Sequence, residues 1–239
     1  MPSTVGSPHR HFRSTDSTNE RARVLASGGA PSGTVVTATE QTQGRGRYGR
    51  VWMAPAGKAL LYSAVLREPE AVYPLLSLVA AVATAEAVEA VAPVSAQIKW
   101  PNDIWIEERK VAGVLIESRP PQWAVVGIGI NASIEREEFP DDLRWPATSV
   151  GSGATPERLL RSLNERLGEW LAAPPEHVLA SYRPRDALAG RKIEWTGAGG
   201  LEPLSGTAGG VDEAGNLTMA GPDGDLTISS GEVAPLSPE

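Results

Sequence analysis

Apolar and β-branched positions along the chain alternate with polar punctuation in a way that predicts both helices and strands. Residues 9–14 read as a short strand, and Ser17-Thr18-Asn19-Glu20 follows with capping-box spacing, Glu20 standing three residues after Ser17. A helix from there should run to about Ser27 and stop at Gly28-Gly29. GTVVTATE (33–40) is a β-branched strand, ALLYSAVL (59–66) is the next, and residues 73–91 form a long alanine-rich helix. Four strand-like runs come after it, at 97–100, 104–107, 111–118 and 123–131, and the short polar turns between the middle ones predict an antiparallel meander. Thr155-Pro156-Glu157 offers an N-cap with proline at the first helical position, and Leu159, Leu160, Leu163, Leu167, Trp170 and Leu171 recur at helical spacing. Another helix is predicted over His177 to Tyr182. From about Arg191 short strand runs alternate with turns such as DEAGN (212–216) and GPDGD (221–225), the texture of a small β-barrel. The boundary falls within residues 183–190, so the expected units are 1–187 and 188–239. The expected fold class is α+β, a mixed or antiparallel central sheet flanked by helices, with a small C-terminal β-barrel.

Composition narrows the possibilities. With 239 residues, 41% hydrophobic and 21% charged, the chain suits a globular protein with a sizeable core. It has no cysteine, which excludes disulfides, thiolate metal sites and a cysteine nucleophile. The opening MPSTVGSPHRHFRST contains no apolar run, and the most apolar segment, 72–91, is interrupted by Glu86 and Glu89. A soluble cytoplasmic protein is therefore expected. The formal net charge of −7 and pI near 5.1 repel nucleic acid. Only Lys58, Lys99, Lys110 and Lys192 are lysines among 22 basic residues, and two of these fall inside the motifs below.

GRGRYGR (44–50) breaks the pattern, with Gln41 three residues before Gly44. Three glycines and three arginines in seven positions suit neither helix nor packed strand, because glycine forfeits backbone entropy there and guanidinium groups resist burial. Freed amides and guanidinium forks together offer many donors to phosphate oxygens, although the GxxxxGK[ST] pattern of a Walker loop is absent. The segment reads either as a solvated loop or as a mobile clamp for a compact anion, with Tyr48 at a permissive position. KWPNDI (99–104) sets Lys99, Asn102 and Asp103 around a proline turn; this is ordinary turn chemistry, or a cradle for a metal-bound phosphate. In RKVAGVLIES (109–118), Lys110 stands at the mouth of a strand, and Gly113 marks a bulge or a close approach. AVVGIGINA (124–132) formally fits GxGxxA. Its glycines sit in β-branched alternation more than twenty residues from the next helix, so a dinucleotide fingerprint is rejected. Gly127 and Gly129 instead clear a floor for a flat ligand, or simply weaken a buried strand, with Asn131 at its end. His9, His11 and His177 lack metal-ligand spacing, and no serine sits in a nucleophile elbow.

Taken together and in order, DSTNE (16–20), EQTQGRGRYGR (40–50), KWPNDI (99–104), RKVAGVLIE (109–117) and VGIGIN (126–131) strongly resemble biotin protein ligases. The resemblance implies a class II synthetase-like catalytic domain followed by an SH3-like barrel. It implies a biotin site at Ser17, Thr18, Asn19, Gln41, Gly44, Arg45, Gly46, Arg47, Lys110, Gly113, Leu115 and Gly127. Nucleotide contacts are implied at Arg45, Arg47, Arg50, Trp52, Lys99, Asn102, Lys110 and Asn131. Lys110, Arg45, Arg47 and Asp103 would carry the chemistry, with Asp103 holding magnesium or orienting the acceptor amine. ATP and Mg2+ are the implied co-substrate and metal, biotin the substrate, and a biotin carboxyl carrier domain of an acyl-CoA carboxylase the partner. Family members that repress transcription carry a winged helix-turn-helix ahead of the catalytic domain; about fifteen residues precede DSTNE, so the expectation is a ligase that binds neither DNA nor membrane. A homodimer through the central sheet is expected if the strands at Val111–Ile116 and Trp123–Ile130 are exposed. The competing readings are a lipoate or octanoate ligase, a non-catalytic binding module, and an arginine-glycine nucleic-acid binder.

Overall fold

A computed structural model describes residues 4–68, 73–197, 202–222 and 224–236. Seven strands form the central sheet: β1 (His9–Thr15), β2 (Val35–Gln41), β3 (Ala59–Arg67), β4 (Gln97–Lys99), β5 (Asp103–Ile106), β6 (Arg109–Arg119) and β7 (Trp123–Asn131). Their spatial order is β1-β2-β3-β7-β6-β5-β4, with β1 parallel to β2 and every other pair antiparallel, so the predicted meander from β4 to β7 is observed.

Alternation along β3 and β7 splits the sheet into two chemically different faces. Leu60, Tyr62, Ala64 and Leu66 pack with Ala124, Val126, Ile128 and Ile130 in the main core, beneath α2 (Leu76–Val91) and α3 (Pro156–Leu171). The opposite face carries Val65 and Val125 against Ala22 and Ala26 of α1 (Thr18–Ser27). On that face strand register lines up motifs distant in sequence. Asp103, Gly113, Gly129 and Leu61 form one cross-strand row, and Leu115, Gly127 and Ser63 form the next. Three glycines in two rows remove side chains where all others protrude, which leaves a concavity in the sheet.

α3 follows the predicted apolar stripe, with Leu159, Leu163 and Leu167 fully buried and the Thr155 hydroxyl accepting from the Arg158 N–H. The capping box at α1 is not made. Ser17 occupies the N-cap in extended conformation, but its side chain makes no cap bond, and Glu20 pairs with Arg23 and Arg45 instead. A tertiary partner outcompetes the local motif there, because Glu20 reaches the Arg45 guanidinium of the arginine segment. The alanine-rich helix begins at Leu76, with Tyr73–Leu75 as a 3-10 turn ahead of it. The irregularity in the β5–β6 pairing lies at Ile104/Trp105 and leaves Val111 as the extra residue, so Gly113 is a paired position and not a bulge.

After α4 (Pro175–Tyr182), the chain hydrogen-bonds alongside β4 through Ala187 and then enters five antiparallel strands: β8 (Lys192–Thr196), β9 (Leu204–Val211), β10 (Leu217–Gly221), β11 (Gly224–Ile228) and β12 (Glu232–Pro235). Their order is β11-β10-β9-β8-β12. Among the described residues no pairing joins β11 to β12, so the expected barrel is not closed by a strand ladder; β12 is only four residues long, and the residues at its start face the arginine segment. This sheet shares the main core through Ile193, Leu217, Met219 and Val233, and Trp100 donates its indole N–H to the Gly215 carbonyl at 3.0 Å.

Topology narrows one expectation. Trp123–Ile130 lies between β3 and β6 along its length, and Val111–Gly113 lies beside both β5 and β7, so these stretches are interior and cannot pair with a second chain, whereas the Val114–Ile116 part of the expected run has a strand ladder on its β7 side alone. No helix among the described residues is long and apolar enough to cross a membrane.

Candidate active site

The concavity in the sheet opens into a cavity of about 160 Å³. Segments from Ser17 to Val233 line it, and for those on the central sheet the register described above is what brings them together. Its residues include Ser17, Thr18, Asn19, Gln41, Arg45, Gly46, Arg47, Arg50, Trp52, Lys99, Asn102, Asp103, Lys110, Gly113, Leu115 and Gly127. Of the expected site residues, Gly44 and Asn131 lie off the lining. Gly44 shapes the loop behind it, since a Cβ there would collide with the Trp52 carbonyl. Asn131 is buried and donates its side-chain amide to the Thr148 carbonyl at 3.0 Å.

One end of the cavity is a neutral polar nest. The start of α1 presents Thr18 and Asn19, and both Thr18 N–H and Oγ1 donate to Gln41 Oε1, at 2.7 and 3.0 Å. Ser63 Oγ lies 2.8 Å from Thr18 Oγ1 and 2.6 Å from Asn19 Oδ1, while Asn19 Nδ2 donates to Glu117 Oε2 at 2.8 Å. Gly127 makes this possible, because a Cβ there would overlap the Asn19 amide. Buried amides and hydroxyls held this way have fixed orientation and are costly to leave unpaired.

The other end is cationic. Lys110 Nζ forms an ion pair with Asp103 at 2.7 Å and lies 5.6 Å from the Trp52 ring centroid. Lys99 is 6% exposed, with its ammonium 5.7 Å from the Trp105 ring and 5.1 Å from that of Trp145. Burial pushes its pKa down to about 8, against the opposing pull of the Asp103 carboxylate. Asn102 accepts from Arg47 at 3.0 Å and donates to the Val114 carbonyl at 2.9 Å.

The arginine segment is a compact hairpin. Trp52 N–H donates to the Gly44 carbonyl and Gly46 N–H to that of Arg50, around a turn at Arg47–Gly49. Its three guanidiniums diverge: Arg45 pairs with Glu20 and Glu117, Arg47 reaches Asn102, and Arg50 pairs with Glu232 of β12. Tyr48 is not permissive. It holds φ 56°, and its hydroxyl accepts from the Gly231 N–H at 3.0 Å and from Arg47 at 3.0 Å, tying the hairpin to the C-terminal sheet. The flat group over the glycine floor is the Trp52 indole, which lies against Gly113 and Gly129 with its Nε1 buried and lacking a hydrogen-bond partner.

Sequence reasoning did not single out Ser63, Glu117, Arg144, Trp145 or Glu232. Ser63 carried a local signal, a small polar residue in the apolar run ALLYSAVL. The others carried none and are assembled by tertiary packing.

Residues 11–132 match the model of the biotin/lipoate A/B protein ligase family, and the chain belongs to that family. More particularly, it is 33% identical to the biotin--[acetyl-CoA-carboxylase] ligase of Mycobacterium tuberculosis over 93% of this chain and 86% of that protein. It is 35% identical to the Paracoccus denitrificans protein of the same name, over 92% of this chain and 97% of that one. Similarity extends to the bifunctional ligase/repressor BirA of Bacillus subtilis, 41% identical over 58% of this chain; the chain matches about half the length of such Bacillus relatives. Among solved structures, the biotin protein ligase from Aquifex aeolicus in complex with biotin and ATP superposes with TM-score 0.81 at 28% identity, covering 95% of this chain and 98% of that one.

Proposed function

We propose that this chain is an ATP-dependent biotin protein ligase. The observation that carries the reading is one cavity with two chemically distinct ends, the neutral nest of Thr18, Asn19 and Gln41 and the cationic group of Lys99, Lys110 and Arg47. A cyclic urea, uncharged but rich in donors and acceptors, matches the first end; a carboxylate meeting a phosphate matches the second. Relatives named as biotin ligases, and a neighbour solved with biotin and ATP, support it.

In the first step a biotin carboxylate oxygen attacks the α-phosphorus of ATP. The bond to the bridging oxygen breaks, and its electron pair leaves on diphosphate, giving biotinyl-5′-AMP. Two anions must meet, so positive charge is needed where the phosphorus gathers negative charge. Lys110 is the cation for that position, with Lys99, Arg45 and Arg47 around it. In the second step the neutral amine of a carrier-domain lysine attacks the acyl carbon and AMP departs. The mixed anhydride is water-sensitive, so the hairpin 44–52 closes over it and excludes water.

Among the described residues no cluster of acidic and histidine side chains forms a metal cage by itself. Magnesium that arrives on the triphosphate needs only one or two protein carboxylates, and Asp103 is the buried carboxylate in the cavity that fits. The metal would neutralise phosphate charge there. The alternative role of Asp103 is to orient the incoming amine. Asp103→Asn separates the two: normal adenylate without transfer assigns it to the amine, and lost adenylate assigns it to the metal.

A lipoate or octanoate ligase would use the same chemistry, but a dithiolane or alkyl chain offers the nest no hydrogen bonds. The protein is therefore given Mg-ATP with equal biotin, lipoate and octanoate, and the acyl-AMP products are identified by mass spectrometry. Biotinyl-AMP alone is expected, with Lys110→Ala slowing its formation by on the order of 10²–10³-fold. Lipoyl- or octanoyl-AMP as the main product refutes the biotin assignment, and no adenylate from any acid refutes the enzyme.

A further inference from the structure

The cationic side of the cavity carries another guanidinium that no motif announced. Arg144 lies on the segment between β7 and α3, beside Trp145. The backbone that follows it is anchored: Lys110 N–H donates to the Pro146 carbonyl, Thr148 N–H to that of Lys110, and Val150 N–H to that of Asn131. This strap therefore has a fixed position relative to Lys110.

Arg144 and Arg50, from separate loops, share the carboxylate of Glu232. All three line the cavity. The Arg144 guanidinium also sits 5.9 Å from the Trp145 ring centroid, whose ring carries Lys99 at 5.1 Å. Arg50, Arg144, Lys99 and Lys110 thus converge against two carboxylates, Glu232 and Asp103, leaving two positive charges in excess. An isolated surface ion pair would be self-neutralising; this wall is not. Lys99 lies within electrostatic reach of both Asp103–Lys110 and Glu232–Arg144. Cations accordingly continue from the proposed α-phosphate position at Lys110 toward Arg144 and Arg50, as a chain of phosphates would require.

We propose that Arg144 and Arg50 together form the subsite for the two terminal phosphates of the nucleotide, the pair that leaves as diphosphate. Glu232 is the anion these guanidiniums hold in the ligand-free chain. Planar forks accept bidentate phosphate oxygens, and the leaving diphosphate gains charge as the bridging bond breaks, so their contribution grows toward the transition state. The proposal rests on the adenylate-forming reading, and its test separates the two.

Magnesium pyrophosphate is titrated calorimetrically into the wild-type chain and into Arg144→Met and Arg144→Lys, and adenylate formation is measured with ATP and biotin varied in turn. Arg144→Met is expected to weaken pyrophosphate binding and to raise KM for ATP about tenfold, leave KM for biotin unchanged, and recover in part in Arg144→Lys. Melting temperatures confirm that both variants fold. Pyrophosphate affinity and KM for ATP within twofold of wild type would overturn the proposal and make Arg144–Glu232 a clasp between loop and C-terminal sheet. Equal rises for ATP and biotin would overturn it too, as a general disturbance. Should the wild type form no adenylate, the ligase reading falls, while the pyrophosphate titration still decides the subsite.

Discussion

Lys99 shows how a single side chain can be set by its surroundings. Burial between two indoles pushes its pKa down to about 8, so it is charged at neutral pH and loses that charge as pH rises through 8. KM for ATP is therefore expected to rise above pH 8 in the wild type and to stay flat, though already elevated, in Lys99→Met. An unbroken wild-type profile from pH 7 to 9.5 would contradict this placement of Lys99 beside the phosphates. The stability sign is the reverse of an ion-paired lysine: between about 8 and the ordinary lysine value near 10.5 the unfolded chain holds more protons, so this group's contribution improves as pH rises. Gly127 is the second sensitive residue. Gly127→Ala drives a methyl into the Asn19 amide, breaking its contacts with Ser63 and Glu117. Biotin affinity, read by calorimetric titration, should fall at least tenfold; a change under twofold would show that Asn19 is not a determinant.

The starts of α1 and α3 make a contrast at the level of elements. Thr155 caps α3 through its hydroxyl, whereas Ser17 stands at the N-cap of α1 without a side-chain cap bond. Thr155→Ala should cost about 1 kcal/mol of stability in urea unfolding, and Ser17→Ala only a few tenths, while the latter still loses biotin affinity. Equal losses would mean that Ser17 does cap its helix in solution. The strands were legible from β-branched runs, and α3 from its leucine spacing, because both patterns answer to a single buried face. Legibility failed where a local motif met a stronger tertiary partner, as at Glu20, which turns to Arg45. It also failed for Gly113, whose locally ambiguous role is settled only by its pairing opposite Asp103 and Gly129.

Across the whole molecule the C-terminal sheet is fastened to the site by Trp100 to Gly215 beside the KWPND turn, by Tyr48 to Gly231 beneath the arginine hairpin, and by the pairs of Arg50 and Arg144 with Glu232. Tyr48→Phe removes the Gly231 contact and leaves only the Arg50–Glu232 pair between hairpin and sheet, and trypsin should then cut at Arg45–Arg50 several-fold faster in the ligand-free protein, with biotin and ATP restoring protection and the melting temperature unchanged. An unaltered cleavage rate would show that the hairpin holds itself closed. By itself the sequence determined the elements, the acidic and cysteine-free character, the ordered motifs and most of the residues that now line one cavity, because each of these depends on composition or on neighbours a few positions away. Only the tertiary structure decided that Trp52 covers the glycine floor, that Asn131 holds a strap, that β7 is an interior strand, and that Arg144 and Glu232 enter the site at all. These depend on strand register and on contacts across long stretches of chain, 182 residues between Arg50 and Glu232, and no local pattern encodes which distant side chain will meet which.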